Sequence, residues 1–186
     1  MKTSYKTALG VLLMACAPWV SADDIAAGQA NYTACISCHG ENGQGDISQR
    51  APRLTHLTPV YIAAQLKKFK TGMRGGENSS RESAQMAAMA ATLPDDRAIA
   101  DVAAYIDTLQ SGPPEATIEG DAAAGADHYN QFCGACHGAS AQGNPALNSP
   151  RLAWADDWYL VAQLNAFRTG NRGAHPQDRT GRQMRA

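Results

Sequence analysis

The sequence is poor in aromatic residues and in cysteine. Only 6% of its 186 residues are aromatic, with three Phe among them. A small domain with so few large apolar side chains struggles to bury enough surface by itself. Four of the five cysteines lie in two short motifs, so no pair remains for a structural disulfide. These scarcities predict that something other than side chains or disulfides supplies part of the buried core.

The sequence also lacks an apolar segment long enough to cross a bilayer. The longest run covers residues 8–20, whereas a transmembrane helix needs about 20 apolar residues. Two lysines precede this run, and the small residues Val20-Ser21-Ala22 follow it as a cleavage site. We therefore predict a signal peptide over residues 1–22 and export of the chain. The alternative is a lipoprotein, with Cys16 as the lipid acceptor.

Basic residues are not in excess either. The chain has 16 Lys and Arg against 17 Asp and Glu, and removal of a leader containing Lys2 and Lys6 makes the balance more acidic. Nucleic-acid-binding proteins carry a basic surface. The charge balance therefore argues against a nucleic-acid partner.

Two Cys-x-x-Cys-His pentapeptides, at residues 35–39 and 133–137, are typical of c-type haem attachment. Their cysteine sulfurs add to the haem vinyl groups, and the histidine that follows binds the iron on one face. A zinc site and a thioredoxin-like dithiol are the alternatives. They fit less well, because the pairs are far apart, each carries an extra His, and no strand–helix alternation surrounds them. The predicted attachment residues are Cys35, Cys38, Cys133 and Cys136, and the predicted axial ligands are His39 and His137.

The two motifs are 98 residues apart, and the same offset aligns a long internal repeat around them. Residues 35–86 align with residues 133–184 without a gap, and 21 of the 52 positions are identical. Such a repeat predicts a tandem pair of one fold, and a Ser-Gly-Pro-Pro segment breaks the chain between the units. The predicted organisation is a first domain over residues 23–110, a linker over residues 111–118 and a second domain over residues 119–186.

Both units read as all-helical. Thr58 and Asp156 are predicted helix N-caps at corresponding positions, and Gly72 and Gly170 are the matching stops. A first helix is expected over residues 24–34. A last helix is expected after Asp95 and Asp96, with one apolar face formed by Ile99, Val102, Ala103 and Ile106.

The second unit has no counterpart of that last helix. The first unit continues from Met86 to Gln110, whereas the second ends at Ala186, two residues after Met184. We expect that the sequence is a fragment; the alternative is a second domain that is naturally incomplete. In either case the second domain is expected to be the less stable one.

The sixth iron ligand is predicted to be Met86 in the first unit and Met184 in the second. Each lies 47 residues after its axial histidine and follows a Gln. His/Met ligation raises the reduction potential of haem. Two alternatives are that Met86 only fills the core and that Met89, which has no counterpart in the second unit, is the ligand.

Three further histidines, His56, His128 and His175, are interpreted as surface residues. None has a histidine at the corresponding position of the other unit. Bis-histidine ligation is therefore possible but has no support from the repeat.

The chain resembles the diheme cytochromes c of the cytochrome c4 type. The resemblance rests on both pentapeptides, the Pro-Arg-Leu segments, the Tyr-x-x-x-Gln-Leu-x-x-Phe-x-x-Gly pattern and the late Met. The resemblance implies two class I cytochrome c domains around a pseudo-twofold axis, each with one covalent haem c. It also implies that the carbonyls of Pro52 and Pro150 accept the imidazole N–H of the axial histidines. Arg53 and Arg151 would lie near haem propionates; simple solvent exposure is the alternative for both.

The expected function is that of a periplasmic carrier, not an enzyme, passing single electrons between a quinol-oxidising complex and a terminal oxidase or reductase. The alternatives are the cytochrome subunit of a sulfide- or alcohol-oxidising dehydrogenase and, less favoured, a diheme peroxidase. Any membrane association is expected to be peripheral. The cluster Lys67, Lys68, Lys70 and Arg74 is interpreted either as a steering surface for an acidic partner or as a solvated helix face.

Overall fold

The computed structural model describes residues 22–185, so most of the predicted leader, including Cys16, lies outside the described residues. Within this range the chain is helical, and β-type pairing is limited to two isolated bridges. A π-helical turn covers Tyr129–Cys133, and 3-10 turns cover Ile47–Gln49 and Pro145–Leu147. The helices are α1 (Ala22–Tyr32), α2 (Ile36–His39), α3 (Pro59–Lys70), α4 (Arg81–Ala91), α5 (Asp96–Thr108), α6 (Ala122–His128), α7 (Gly134–His137), α8 (Asp157–Thr169) and α9 (Arg179–Gln183).

The core of the first domain forms where α5 packs across α1. The two helices approach most closely at Gly28, where an added Cβ would lie 2.1 Å from the backbone oxygen of Asp101. Tyr32 and Tyr105 pack beside this crossing, with ring centroids 5.4 Å apart. The predicted apolar face of the last helix is confirmed, because its four members are all at most 3% exposed: Ile99, Val102, Ala103 and Ile106.

The predicted helix ends are confirmed in the first domain. Thr58 caps α3, since its hydroxyl accepts a hydrogen bond from the backbone N–H of Tyr61 at 3.3 Å. Asp95 caps α5 by accepting from the N–H of Ala98 at 2.9 Å. Gly72 and Gly170 both adopt positive φ just after their helices, which is the conformation that ends a helix at low cost for glycine.

The first helix of the second domain is exposed. Every residue of α6 is exposed, and Phe132 in the following π-helical turn is 70% exposed. Gly125 has no atom near its added Cβ, whereas its counterpart Gly28 lies against α5. Among the described residues, no helix packs on α6 as α5 packs on α1.

The π-helical turn accommodates a one-residue insertion between the repeats. The Gly-x-x-x-Tyr patterns of α1 and α6 are 97 residues apart, whereas the Cys-x-x-Cys-His motifs are 98 apart. A π-helical turn holds one extra residue within a helix. Tyr129 therefore reaches the same position as Tyr32 although it lies one residue further from its motif.

The two domains contact each other with pseudo-twofold symmetry. Arg74 donates through Nη2 to the Tyr159 hydroxyl and to Gln163 Oε1, both at 2.9 Å. Its counterpart in the repeat makes the mirrored contacts, from Arg172 Nη2 to the Tyr61 hydroxyl at 2.9 Å and to Gln65 Oε1 at 3.1 Å.

These two arginines are held in place from both domains. Each guanidinium also lies over a phenylalanine ring of its own domain, 4.4 Å from the Phe69 centroid and 4.5 Å from the Phe167 centroid. Burial opposes ionisation of the Tyr159 hydroxyl, but the charges of Arg74 and Arg172 outweigh it and lower its pKa. The arginines and tyrosines thus stabilise one another at the domain boundary.

The cluster of Lys67, Lys68, Lys70 and Arg74 was interpreted as a steering surface or as a solvated helix face. Both interpretations are wrong for three of the four residues, because their charges bind within the molecule. Arg74 lies at the domain boundary, and Lys70 donates to the carbonyls of Leu93 and Pro94. Lys68 Nζ lies 2.6 Å from the carboxylate of Asp178 in the second domain. Lys67 remains at the surface, paired with the exposed Asp96 at 2.7 Å.

The crossing of α1 and α5 gives a first prediction. Gly28→Ala is expected to destabilise the protein by about 3 kcal/mol, because the methyl group would collide with α5 backbone atoms that cannot easily move. Denaturant unfolding of the haem-loaded protein measures this loss.

Gly125→Ala is the matched control at the corresponding position of α6. There the methyl group meets no atom, and alanine favours a helix over glycine, so a gain of roughly 0.5–1 kcal/mol is expected. Equal losses in the two variants would contradict the described packing.

Candidate haem sites

The motif of the first domain forms one helical turn around a buried histidine. The N–H of His39 donates to the carbonyl of Cys35 at 2.8 Å, so α2 presents both cysteines and the histidine from a single turn. His39 is 5% exposed, and its Nδ1 lies 2.8 Å from the carbonyl oxygen of Pro52. A proton on Nδ1 then donates to that carbonyl and leaves the Nε2 lone pair for a metal. Burial lowers the pKa of His39, which favours the neutral imidazole that metals bind.

The second domain repeats this arrangement in α7. His137 is also 5% exposed, and its Nδ1 lies 2.9 Å from the carbonyl oxygen of Pro150. The two imidazoles are therefore oriented alike by proline carbonyls, as the resemblance implies. Their roles as axial ligands remain a prediction.

A tyrosine stabilises the end of each motif turn. The hydroxyl of Tyr32 donates to the carbonyl of Gly40 at 2.7 Å, and that of Tyr129 donates to Gly138 at 2.6 Å. Burial raises the pKa of Tyr32, so its hydroxyl stays a donor. The ungapped repeat missed this pair because the tyrosines are 97 residues apart; the Gly-x-x-x-Tyr pattern in both first helices would have found it.

The cysteine environment argues against the dithiol alternative. Burial, with a further contribution from Cys38, raises the pKa of Cys35 to about 11, whereas redox-active cysteines have lowered pKa values. The zinc alternative also fails within residues 22–185, where no three His, Cys, Asp or Glu side chains form a metal-binding group.

The predicted methionine ligands lie in corresponding segments with different exposure. Met86 is half-buried on α4, whereas Met184 follows α9 and is 37% exposed. Met89 is half-buried as well, so burial does not distinguish it from Met86. The repeat still favours Met86, and both methionine assignments remain predictions.

A cleft of about 340 Å³ lies between the domains. Three buried nitrogens in it have no hydrogen-bond partner among the described residues: Arg53 Nε, His56 Nδ1 and Arg151 Nε. The cleft is lined by Arg53, Thr55, His56, Leu109, Gln110, Ser111, Arg151 and Trp154.

Arg53 is buried at 7% exposure, so the alternative of simple solvent exposure is wrong for this residue. Its Nε lies 3.5 Å from Asp156 Oδ1, and its backbone N–H donates to Asp156 Oδ2 at 2.8 Å. Its guanidinium also donates to Ser111 and to the carbonyl of Gly112 at the start of the linker. Arg53 thus joins both domains and the segment between them.

The predicted N-cap position of Asp156 on α8 is confirmed, but its side chain makes no capping bond. Its carboxylate instead accepts a hydrogen bond from the backbone N–H of Arg53 at 2.8 Å and lies beside the buried guanidinium of the same residue, whose charge strengthens the contact. The contact joins residues 103 positions apart, which local pattern cannot reveal.

The interpretation of His56 as a surface residue was also wrong. Its exposure is 7%; burial, together with the charges of Arg53 and Arg151, lowers its pKa to about 4. It is therefore neutral at pH 7 in these surroundings. His128 is exposed and His175 is half-buried.

The described residues fit two covalent haem groups. Each motif turn presents two thiols and an imidazole whose Nε2 is free, and the cleft supplies nitrogen donors that lack an acceptor. Haem propionates are carboxylates, and a carboxylate is the kind of acceptor that such donors require.

The Arg53–Asp156 contact gives a second prediction. Asp156→Thr is expected to cost roughly 2–3 kcal/mol of stability, because a buried guanidinium loses its carboxylate partner but keeps its bonds to the linker. Denaturant unfolding of the haem-loaded protein measures the cost.

Thr58→Asp is the matched control, because Thr58 holds the corresponding N-cap position in the first domain. Asp caps helices at least as well as Thr, so a change within about 0.5 kcal/mol is expected. A loss in Thr58→Asp as large as that in Asp156→Thr would contradict the assignment of the effect to the contact between the domains.

Residues 22–185 contain no helix that is long and apolar enough to cross a membrane.

Comparison with known proteins gives a consistent result. The sequence profile of the cytochrome c family matches residues 25–110 and again residues 122–186. The chain is 30% identical to a thiosulfate dehydrogenase electron acceptor from Thiomonas intermedia, over 85% of this chain and 73% of the relative. It is 29% identical to cytochrome c4 from Azotobacter vinelandii, over 82% and 76%. The crystal structure of reduced cytochrome c4 from Pseudomonas stutzeri superposes with a TM-score of 0.68 at 25% identity, over 87% of this chain and 88% of that one.

Proposed function

Since this chain belongs to the cytochrome c family, we propose that it shuttles single electrons in the periplasm between a quinol-oxidising complex and a terminal oxidase or reductase. Its two tandem domains and its similarity to cytochrome c4 make it a diheme electron carrier with two covalently bound haem c groups. The observation that carries the proposal is the pair of buried, alike-oriented imidazoles on either side of a pseudo-twofold domain contact.

The proposal assigns each site residue one role. The attachment residues are the four motif cysteines, and the proline carbonyls orient the imidazoles. Arg53 and Arg151 face the propionates in the cleft. The iron ligands are His39 and Met86 in the first domain and His137 and Met184 in the second.

Bound haem c supplies an iron that cycles between ferric and ferrous states. The chain holds the imidazole neutral and fixed by burial and by the proline carbonyl. Met86 and Met184 would each hold the iron through a soft thioether sulfur, which would favour the ferrous state. A histidine and a methionine bound together would leave no open position for peroxide, which supports a carrier and not a peroxidase.

Periplasmic location is part of the proposal and rests on the sequence of the leader. A basic start, a short apolar run and a small-residue cleavage site are typical of exported proteins. An exported cytochrome is also consistent with the cysteines, because the four that follow the leader all lie in the two attachment motifs.

A second candidate partner is a dehydrogenase that oxidises an inorganic sulfur compound. The similarity to a thiosulfate dehydrogenase electron acceptor supports it, as a specific case of the dehydrogenase subunit predicted from sequence. In this role the protein would receive electrons from the dehydrogenase and pass them on by the same one-electron chemistry.

Stopped-flow reduction of the oxidised, full-length protein distinguishes the two donors. The quinol-oxidising complex with quinol should reduce both haems within the turnover time of that complex, and the oxidase should reoxidise them. Faster reduction by thiosulfate dehydrogenase with thiosulfate would favour the second candidate. Failure of every donor to reduce either haem would contradict both.

A further inference from the structure

The interdomain cleft departs from the pseudo-twofold symmetry of the rest of the domain contact. Arg53 and Arg151 are counterparts in the repeat, and so are His56 and Trp154. At this last pair one domain contributes a titratable imidazole and the other an indole that is 52% exposed. The two sides of one cleft therefore differ in chemistry.

The two arginines also differ in their partners. Arg53 has the Asp156 carboxylate and two acceptors near the linker. Both Nε atoms are buried without a hydrogen bond among the described residues. That of Arg53 lies 3.5 Å from Asp156 Oδ1, whereas Arg151 has no carboxylate beside it in the described part of the chain. The charges of Arg53 and Asp156 offset each other. Among the described residues that line the cleft, the positive charge of Arg151 therefore has no carboxylate of its own.

His56 supplies a second donor when its Nδ1 carries a proton, as it does in one neutral tautomer and in the protonated ring. Its Nδ1 is buried and has no partner in the described structure. A buried donor without an acceptor destabilises the folded protein, and a carboxylate can accept hydrogen bonds from two such donors at once. His56 and Arg151 are near enough for their charges to interact, and both line the same cleft.

We propose that His56 and Arg151 together bind a haem propionate carboxylate in the interdomain cleft, and that His56 makes the reduction potential of that haem depend on pH. This inference rests on the proposed diheme function and adds a residue that sequence had placed on the surface. His56 is a positioning and tuning residue, because it acts on the iron only through the carboxylate.

The direction of the pH dependence follows from charge. Protonated His56 is a cation, and a nearby cation favours the ferrous iron, which carries one positive charge fewer than ferric iron. Reduction therefore raises the affinity of His56 for a proton. The potential falls as pH rises through the titration of His56 and is constant above it.

The charged groups that face His56 set where this titration lies. Burial and the charges of Arg53 and Arg151 oppose protonation, whereas the carboxylate of Asp156, bound to Arg53, and the propionate favour it. The other residues that line the cleft carry no titrating group in the neutral range. Because the propionate favours protonation, we expect the titration to lie above the pKa of about 4 that burial and the two arginines give His56.

Spectroelectrochemical titration of the full-length, haem-loaded protein between pH 4 and 8 tests this. In the wild type, the equilibrium constant for reducing one of the two haems should fall about 3- to 10-fold over the titration of His56; a tenfold change equals 59 mV for one electron. His56→Gln keeps a donor without a titrating group, so its potential should match the wild type at pH 8 but lose this dependence. His56→Leu should lose the dependence and also lower the potential at pH 8.

His128→Gln is the matched control, since it removes an exposed histidine and should leave both pH profiles unchanged. Superimposable profiles for His56→Gln and the wild type would overturn the inference. If the His56 variants do not fold, NMR titration of the His56 ring protons in the oxidised and reduced wild type replaces them. Equal pKa values in the two states would then overturn it.

Failure of this inference differs from failure of the proposed function. If only the inference fails, two reversible haem couples remain and His56→Gln leaves their pH profiles unchanged. If the proposed function fails, the wild type itself shows no pair of reversible one-electron couples.

Discussion

Replacing both Cys35 and Cys38 by alanine is expected to halve the covalently bound haem. A c-type haem is held by two thioether bonds from these thiols, and α2 presents both cysteines beside His39 in one turn. The mass of the denatured protein should fall by one haem, and the haem absorbance per chain should fall to about half. The first domain should also lose much of its stability, because its haem supplies a buried apolar centre that its few aromatic side chains cannot replace.

The pair Cys133→Ala and Cys136→Ala is the matched experiment in the second domain. It should likewise remove one haem and leave the other in place. All four substitutions together should give a chain with no covalent haem. Retention of two covalent haems in either double variant would contradict the attachment assignment.

Met86→Ala is expected to give the largest change in reduction potential. Loss of the sulfur ligand leaves the sixth position of one haem to water or to another weak ligand, and it removes the preference of that site for ferrous iron. The potential of this haem should fall by on the order of 100 mV or more, within the range that axial ligands control. Its charge-transfer band from sulfur to ferric iron should disappear from the near-infrared spectrum.

Met89→Ala is the control on the same helix, because Met89 is half-buried as Met86 is. It should leave both charge-transfer bands and both potentials in place, with only a loss of packing. If Met89→Ala removes a band and Met86→Ala does not, the ligand assignment for the first domain is wrong. Met184→Ala should act on the other haem alone.

The repeat allowed most of the fold to be predicted from sequence. Periodicity and caps in one unit could be checked against the other, and the ends of α3 and the apolar face of α5 were confirmed. The buried histidine turns follow from the motifs themselves, since their residues are close in sequence. The tyrosine pair was missed, because one inserted residue shifts the second tyrosine out of the ungapped alignment. The π-helical turn accommodates that residue.

The contacts between the domains could not be predicted in the same way. Asp156 is a residue type that favours helix N-caps and lies at an N-cap position, yet its carboxylate binds Arg53 across the domain boundary. Lys68 and Arg74 were interpreted as members of one surface cluster of basic residues, but their partners are Asp178 and Tyr159 of the other domain. His56 has no counterpart that would signal its burial. The partners and the burial of these residues depend on how the two units pack against each other. A pattern within one unit carries no information about that packing.

A spectroelectrochemical titration of the full-length protein tests the central claim of a diheme electron carrier most directly. The account predicts two reversible one-electron steps from two covalent, low-spin haems, each with the charge-transfer band of methionine-ligated ferric iron. A high-spin haem that consumes peroxide would contradict it.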